Sequence, residues 1–227
     1  MKLYSHPAST TSRPVLLFCA HENIDIEIVT VDLFSGAHLH EDYLSINPNG
    51  LVPALDDDGF ILTESSAILK YLADKVNSPT YPKDLKKRAR INEVMDWFNT
   101  QFYREFGYHM IYPQVFPGHK RATDEGNQSI VNWGLEGSKK ALAVLDGRWH
   151  MLAGGGTYLL GNDITIADFL GAEFVAFGDV VRCDLSAYPN VSRWINKMKS
   201  LPAWAEVNAA ATGFAESLKD QTFVAVA

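Results

Sequence analysis

Two short segments set what this chain can fold into: Asn47-Pro48-Asn49-Gly50-Leu51-Val52-Pro53-Ala54-Leu55 and, one acidic turn later, Ile61-Leu62-Thr63-Glu64-Ser65-Ser66-Ala67-Ile68. Pro53 stands at the threshold of a short apolar run, where it cannot donate to a sheet ladder and where a tight turn suits a cis peptide bond. Asp56-Asp57-Asp58-Gly59, between the apolar pieces Ala54-Leu55 and Phe60-Ile61-Leu62, is hairpin chemistry. The second segment then starts a helix. Thr63 is expected to cap it, with Glu64, Ser65 and Ser66 crowding polar side chains into the first turn and Ile68, Leu72 and Val76 continuing the apolar face. Such a helix end offers free backbone N–H groups and the positive end of a dipole to a carboxylate, while Glu64 suits an ammonium. The pair reads as a seat for a zwitterionic amino-acid group.

Around this core, periodicity predicts a strand at residues 2–5, a helix over Thr11–His21 and a strand over Ile26–Val31. The order is therefore β-α-β, then β-β-α. Residues 77–85 carry Pro79 and Pro82 among small polar residues and read as a linker. Beyond it, apolar residues at 91, 94, 95, 98, 102 and 106 recur at helical intervals, as do Leu135, Leu142, Leu145, Trp149 and Leu152, predicting two long core-facing helices. Ile164-Thr165-Ile166-Ala167-Asp168-Phe169 has the spacing of a capping box, Thr165 with Asp168, and of a staple, Ile164 with Phe169; its role is structural. Val191, Trp194, Ile195 and Met198 predict one more amphipathic helix.

Composition narrows the function classes. A chain of 227 residues with 47% hydrophobic and 21% charged residues is that of a globular protein, and its net charge of −7 argues against nucleic acid or an anionic membrane as partner. The basic run Lys83 to Arg90 is read as a solvated helix start. No early apolar run is long enough for a signal-peptide core or a membrane span, so the expected location is cytoplasmic. Cys19 and Cys183 form no Cys-x-x-Cys pair, and the seven histidines show no metal-ligating spacing, so neither dithiol chemistry nor a metal is expected.

The pairing of Val52-Pro53 with Glu64-Ser65 resembles the glutathione site of the glutathione transferase family, and most closely its serine-type, theta- and delta-like members. The resemblance implies an α/β thioredoxin-like N-terminal domain over residues 1–76, the linker at 77–85, and an all-α helical C-terminal domain over 86–227 that carries an electrophile pocket. It implies that Val52, beside a cis Pro53, meets the cysteinyl part of glutathione through its backbone, and that Glu64 and Ser65 seat the γ-glutamyl end. In similar enzymes the thiolate partner lies between the first strand and first helix, where Ser9, Thr10, Thr11 and Ser12 compete. The active serine of serine-type members lies four residues before an arginine; counting back from Arg13 gives Ser9, with Thr10 as the alternative, and the usual Pro-Cys is here Thr11-Ser12. His38 matches a histidine at the glycyl end of glutathione. Where relatives often carry Lys or His just before Val-Pro, this chain has Gly50 and Leu51.

An ordinary thiol, with a pKa of about 8.5, is only a few per cent ionised at neutral pH. Bringing it to about 6.5 takes about 2.7 kcal/mol, which one hydrogen bond to a charged group supplies. The expected function is conjugation of the glutathione thiolate to an apolar electrophile, with glutathione as co-substrate and a homodimer as the assembly. A glutathione-dependent dehalogenase or isomerase and a non-catalytic scaffold are the alternatives. Tyr103, Tyr108 and Tyr112 are the pocket candidates, since positions 98, 102 and 106 belong to the core row. The apolar ending Gln221-Thr222-Phe223-Val224-Ala225-Val226-Ala227 suggests a docked tail; in similar enzymes the C-terminal segment often covers the electrophile pocket, which implies that Phe223 and Val224 pack near the aromatic helix around Tyr108 and Tyr112.

Overall fold

A computed structural model describes residues 1–148 and 154–227. The expected apolar positions Trp149 and Leu152 lie outside the described residues. The chain opens with β1 (Lys2–Ser5), α1 (Arg13–Glu22) and β2 (Glu27–Thr30), the two strands pairing in parallel. A single 3₁₀ turn (Ala37–Leu39) and α2 (Glu41–Leu44) lead to β3 (Ala54–Asp57), β4 (Phe60–Thr63) and α3 (Ser65–Lys75). The sheet order is β2-β1-β3-β4, with β3 antiparallel to both neighbours. This mixed four-stranded sheet is thioredoxin-like. Leu3 lies opposite Leu55, both fully buried, and Phe18 of α1 with Ile68, Leu69 and Leu72 of α3 belongs to the same core.

The hairpin turn is tighter than expected. Asp56 and Asp57 belong to β3, and only Asp58 (φ +53°) and Gly59 (φ +91°) make the turn, the two consecutive left-handed residues of a two-residue loop that follows the strand twist. Asp57 is thereby buried, and accepts hydrogen bonds from the Tyr71 hydroxyl and the Lys75 ammonium of α3.

The expectation that Thr63 caps α3 is corrected. Thr63 pairs with Ala54 as the last residue of β4, and the capping position is Glu64, at φ +67° and ψ +115°, with no side-chain capping bond. A non-glycine residue in that region is strained by about 1–3 kcal/mol, which surrounding structure must offset.

The second half is helical: α4 (Leu85–Trp97), capped by the Asp84 carboxylate, runs on into α5 (Tyr112–Val115) through π-helical segments at Phe98–Phe102 and Arg104–Ile111. Phe98, Phe102, Phe106 and Met110 follow one another at intervals of four and are all fully buried. On an α-helix four residues overshoot a turn by about 40°, so such a row drifts around the cylinder; wider, π-type turns oppose that drift. After α6 (Asp124–Ala143) and a further π segment (Val144–Arg148), come α7 (Ile166–Ala176), α8 (Pro189–Lys199), α9 (Trp204–Val207) and α10 (Ala209–Ser217). In the second apolar row Leu142 and Leu145 are fully buried and Leu135 only partly.

Every residue of α7 is buried, because α1, α3, α4 and α8 all pack on it. Its start carries the capping box, and Ile164 and Phe169 join one apolar core. Asp168 does more than cap. Its carboxylate also accepts from the Leu159 N–H at 2.8 Å and from Trp194 Nε1 at 2.9 Å, so one buried side chain ties the preceding loop, α7 and α8 together. Burial pushes the Asp168 carboxyl up, against the pull of those donors. Farther along α7, Glu173 accepts from Arg13 Nε of α1 at 2.8 Å and from Asn208 Nδ2 at 2.9 Å, linking both halves of the chain through buried polar groups.

The tail docks beside the aromatic stretch, at Gln114 two residues from Tyr112, but Phe223 and Val224 do not line the cavity that Tyr108 and Tyr112 face. The Gln114 side-chain amide donates to the Val224 carbonyl and accepts from the Val224 N–H, both at 2.8 Å, while Val226 is buried and its carbonyl accepts from the Asp184 N–H at 2.8 Å. Arg182 lies over the Phe223 ring. These groups hold the tail against α5 and the segment after α7. No helix among the described residues is long and apolar enough to cross a membrane.

Candidate functional site

A cavity of about 640 Å³ opens between the loops at one end of the sheet and the π-helical stretch. One wall comes from the β1–α1 loop, the His38 turn, the Gly50–Pro53 loop and the start of α3; the other comes from Tyr103, Tyr108, Tyr112 and Phe116 with residues of α7 and α10.

The β1–α1 loop is a tight turn that precedes the helix proper: the Ser9 carbonyl accepts from the N–H groups of Ser12 and Arg13, at 3.2 and 3.1 Å. Ser9 Oγ accepts from the Ser12 N–H at 3.2 Å and sits 3.1 Å from Thr11 Oγ1, which itself donates to the Val52 carbonyl at 2.8 Å. Ser9 is half-buried and lines the cavity. Thr10 is buried and lines the cavity together with Tyr103 and Tyr112. Arg13 is inside the protein: besides Glu173 it reaches the Ala8 carbonyl, at 3.2 Å from Nη1, and so braces the residue before Ser9.

The Val52-Pro53 bond is cis. Its loop is framed from behind by Tyr43 and Asn47, whose hydroxyl and amide donate to the Leu51 carbonyl at 2.6 and 2.7 Å. Burial pushes the Tyr43 phenol up to about 12, so it stays a donor at any working pH. Gly50 has φ +62°, and a Cβ there would stand 3.1 Å from the His38 carbonyl oxygen. Only glycine lets the two loops close this tightly. His38 faces the cavity with Nδ1 buried and no partner for it among the described residues. Leu51, where a cation was expected from relatives, is an exposed side chain on the rim, beside Leu33 and Phe34. His6, edge-on to Phe34 at 5.2 Å, is held below the usual histidine range by burial, Asp32 pulling the other way.

Glu64 is exposed at the mouth, and its strained backbone turns the chain so that Ser65 enters α3 buried. Asn99 of the π-helical segment donates to the Ser66 hydroxyl at 3.2 Å, a bond between the two walls. Tyr108 meets Glu64 across the opening: burial first, and then the Glu64 charge, raise its phenol. Tyr108 is 44% exposed and lies edge-on to Tyr112 at 4.9 Å. Tyr103 is only 4% exposed, stacked on Phe174 at 4.1 Å, with its hydroxyl 2.6 Å from that of Tyr112. It contributes an edge to the cavity and most of its ring to the core. Burial holds the Tyr103 phenol well above its ordinary value and pushes Tyr112 up to about 12.

All nine residues singled out from the sequence thus line this one cavity: Ser9, His38, Val52, Pro53, Glu64, Ser65, Tyr103, Tyr108 and Tyr112. The sequence reading missed much of the apolar wall, including Phe174, Phe177 and Val180 after the start of α7, and Ala211 and Phe214 of α10. Phe214 stacks on Phe116 at 5.6 Å, and α10, not the tail, closes that side. Their only sequence signal was aromatic enrichment, which does not distinguish a pocket wall from a core. Among the described residues no group of three or more His, Cys, Asp or Glu stands together as a metal site.

Residues 1–74 match the family described as "Glutathione S-transferase, N-terminal domain" and residues 108–202 match "Glutathione S-transferase, C-terminal domain". The chain is 33% identical to Homo sapiens glutathione S-transferase theta-2 over 179 residues, covering 76% of this chain and 69% of that protein. Among solved structures it is similar to a delta-class glutathione transferase of Nilaparvata lugens, with TM-score 0.79, 35% identity and coverage of 96% and 98% of the two chains. An epsilon-class enzyme of the housefly, Musca domestica, matches with TM-score 0.82 at 28% identity, covering 98% and 99%. Matched in both halves and in their order along the chain, this protein belongs to the glutathione S-transferase family.

Proposed function

We propose that this glutathione S-transferase binds glutathione along the sheet-side wall of the cavity and adds its thiolate to an apolar electrophile held against the aromatic wall. The observation that carries the reading is that one continuous cavity joins Ser9, Val52, Glu64 and Ser65 to Tyr108, Tyr112 and Phe116. The γ-glutamyl carboxylate sits at the N-terminus of α3 with its ammonium at Glu64, and the cysteinyl backbone pairs with Val52 beside Pro53. His38 faces the glycyl end. Ser9 donates its hydroxyl proton to the sulfur, and its own oxygen, already accepting from the Ser12 N–H, is polarised to do so. Positioning of the two reactants and stabilisation of the anion supply the acceleration.

The electrophile is largely apolar, since Phe116, Phe174, Phe177, Val180 and Phe214 form its surroundings. A homodimer and a cytoplasmic location belong to the same proposal. Phe60 on β4 is 51% exposed and Trp133 on α6 is 69% exposed beside a groove that also involves Trp97, which supports an apolar subunit contact. Binding to immobilised glutathione, followed by assays against aryl halides, epoxides and unsaturated carbonyls, tests the function. Retention with turnover of at least one class supports it, and failure to bind glutathione refutes it. Analytical ultracentrifugation tests the dimer.

A further inference from the structure

The hydroxyls of the β1–α1 loop form a chain whose direction follows from counting protons. Thr11 Oγ1 lies 2.8 Å from the Val52 carbonyl oxygen, which can only accept, so the single Thr11 hydroxyl proton points there. Toward Ser9, 3.1 Å away, Thr11 can then only accept, and the Ser9 proton points at Thr11. Ser9 Oγ in turn accepts from the Ser12 N–H. Donation runs Ser12 to Ser9 to Thr11 to Val52. The last link has the usual O–H···O length and the middle one is longer than usual, so the Ser9 proton is the most weakly held. A thiolate, being charged, makes a hydrogen bond about twice as strong as a neutral acceptor does and draws that proton away.

We infer that Thr11 is a positioning residue that couples the seating of glutathione's cysteinyl backbone at Val52 to activation of its sulfur at Ser9. The inference rests on the roles proposed above for Ser9 and Val52. The Val52 carbonyl oxygen has two lone pairs and can hold both donors, but a cysteinyl N–H on it loosens the Thr11 bond, so that the pull of the thiolate on the Ser9 proton is enough to free Thr11. Thr11 then turns its proton to Ser9 Oγ, and the Ser9 proton, displaced from Thr11, turns to the sulfur. Ser9 now accepts from Thr11 and Ser12 and donates to the thiolate, an arrangement in which each bond strengthens the next. The thiol proton leaves to solvent, and no covalent bond to the protein forms or breaks. A proline, which similar enzymes often carry at this position, has no hydroxyl with which to do this.

The test is to titrate the ultraviolet thiolate absorbance of bound glutathione in the full-length wild type and in Thr11→Val, Thr11→Ser, Ser9→Ala and the Ser9→Ala/Thr11→Val double variant. Thr11→Val preserves shape at a half-buried position and deletes only the hydroxyl. It is expected to raise the apparent pKa of the bound thiol by about 0.5 to 1, while Thr11→Ser reproduces the wild type. Ser9→Ala is expected to raise it further, and adding Thr11→Val to Ser9→Ala to change nothing more. A wild-type thiol pKa in Thr11→Val, or an effect of the same size in the Ser9→Ala background, overturns the coupling while leaving Ser9 in place. A wild-type thiol pKa in Ser9→Ala overturns the Ser9 assignment and the coupling with it, and absence of glutathione binding to the wild type overturns the proposed function and the coupling together.

Discussion

Replacing Glu173 by Ala strands a buried guanidinium. The side chains of Arg13 and Glu173 are 3% and 0% exposed, and the carboxylate holds both Arg13 Nε and Asn208 Nδ2, so the substitution removes the counter-charge and an amide acceptor together. Breaking a buried pair from one side costs about 3–5 kcal/mol, a large part of the roughly 5–15 kcal/mol that holds a typical domain. Urea unfolding at one fixed protein concentration reads the loss without interference from changes in assembly. The control is Arg13→Met with Glu173→Leu, which removes both charges and refills the volume; it is expected to recover the stranded-charge part of the loss and to stay about 1–3 kcal/mol below the wild type, because the Asn208 amide still lacks its carboxylate. Because Arg13 also braces the Ala8 carbonyl beside Ser9, the double variant is expected to recover that part of the stability without recovering full conjugation activity. A Glu173→Ala protein within about 1 kcal/mol of the wild type refutes the stranded-charge reasoning. So does a double variant as unstable as the single one.

Glu64→Ala and Ser65→Ala are expected to weaken calorimetric glutathione affinity more than they slow the bound reaction, since both lie at the γ-glutamyl end; unchanged affinity moves that end elsewhere. Asp168→Ala leaves the Leu159 and Thr165 N–H groups and Trp194 Nε1 without acceptors, and at about 1–3 kcal/mol per buried unsatisfied donor it is expected to cost at least about 3 kcal/mol, more than a cap alone. Glutathione affinity of the folded fraction stays constant, and a smaller loss in chemical denaturation shows that the loop and α8 do not depend on this carboxylate. Hydrogen bonds from Arg88 and Lys83 hold the Asp74 carboxyl below its usual range. With the folded value depressed, this stability is present above the unfolded pKa of about 3.9 and is lost as pH falls through the folded one, so Asp74→Asn is expected to flatten the acid side of the stability profile. A profile that keeps the wild-type slope below pH 4 contradicts the assignment, about 3.9 being the carboxyl's unfolded value.

What was legible in the sequence is what lies close together in it. β1, the β3–β4 hairpin, the start of α3 and the Thr165–Asp168 box each announce themselves within a few residues, because turn chemistry, caps and alternation are local. The errors fall where a distant group decides. Thr63 has the chemistry of a cap, but pairing with Ala54 keeps it in the sheet and leaves Glu64 to make the turn. The row at 98, 102 and 106 reads as an α-helix, and packing against other elements, not the row itself, decides that the turns there widen. Arg13 with Glu173, and Phe116 with Phe214, are joined across long stretches of chain, and no spacing rule connects them. The apolar tail announced that it docks, but only the Gln114 and Asp184 contacts show where.

A structure of the complex with glutathione tests directly whether the glutathione sulfur rests on the Ser9 hydroxyl. The sulfur is expected within hydrogen-bonding distance of Ser9 Oγ, the cysteinyl backbone on Val52 and the γ-glutamyl carboxylate on the N-terminus of α3. A sulfur held instead by the hydroxyls of Thr10 or Tyr112, with Ser9 turned to its loop, contradicts the Ser9 assignment.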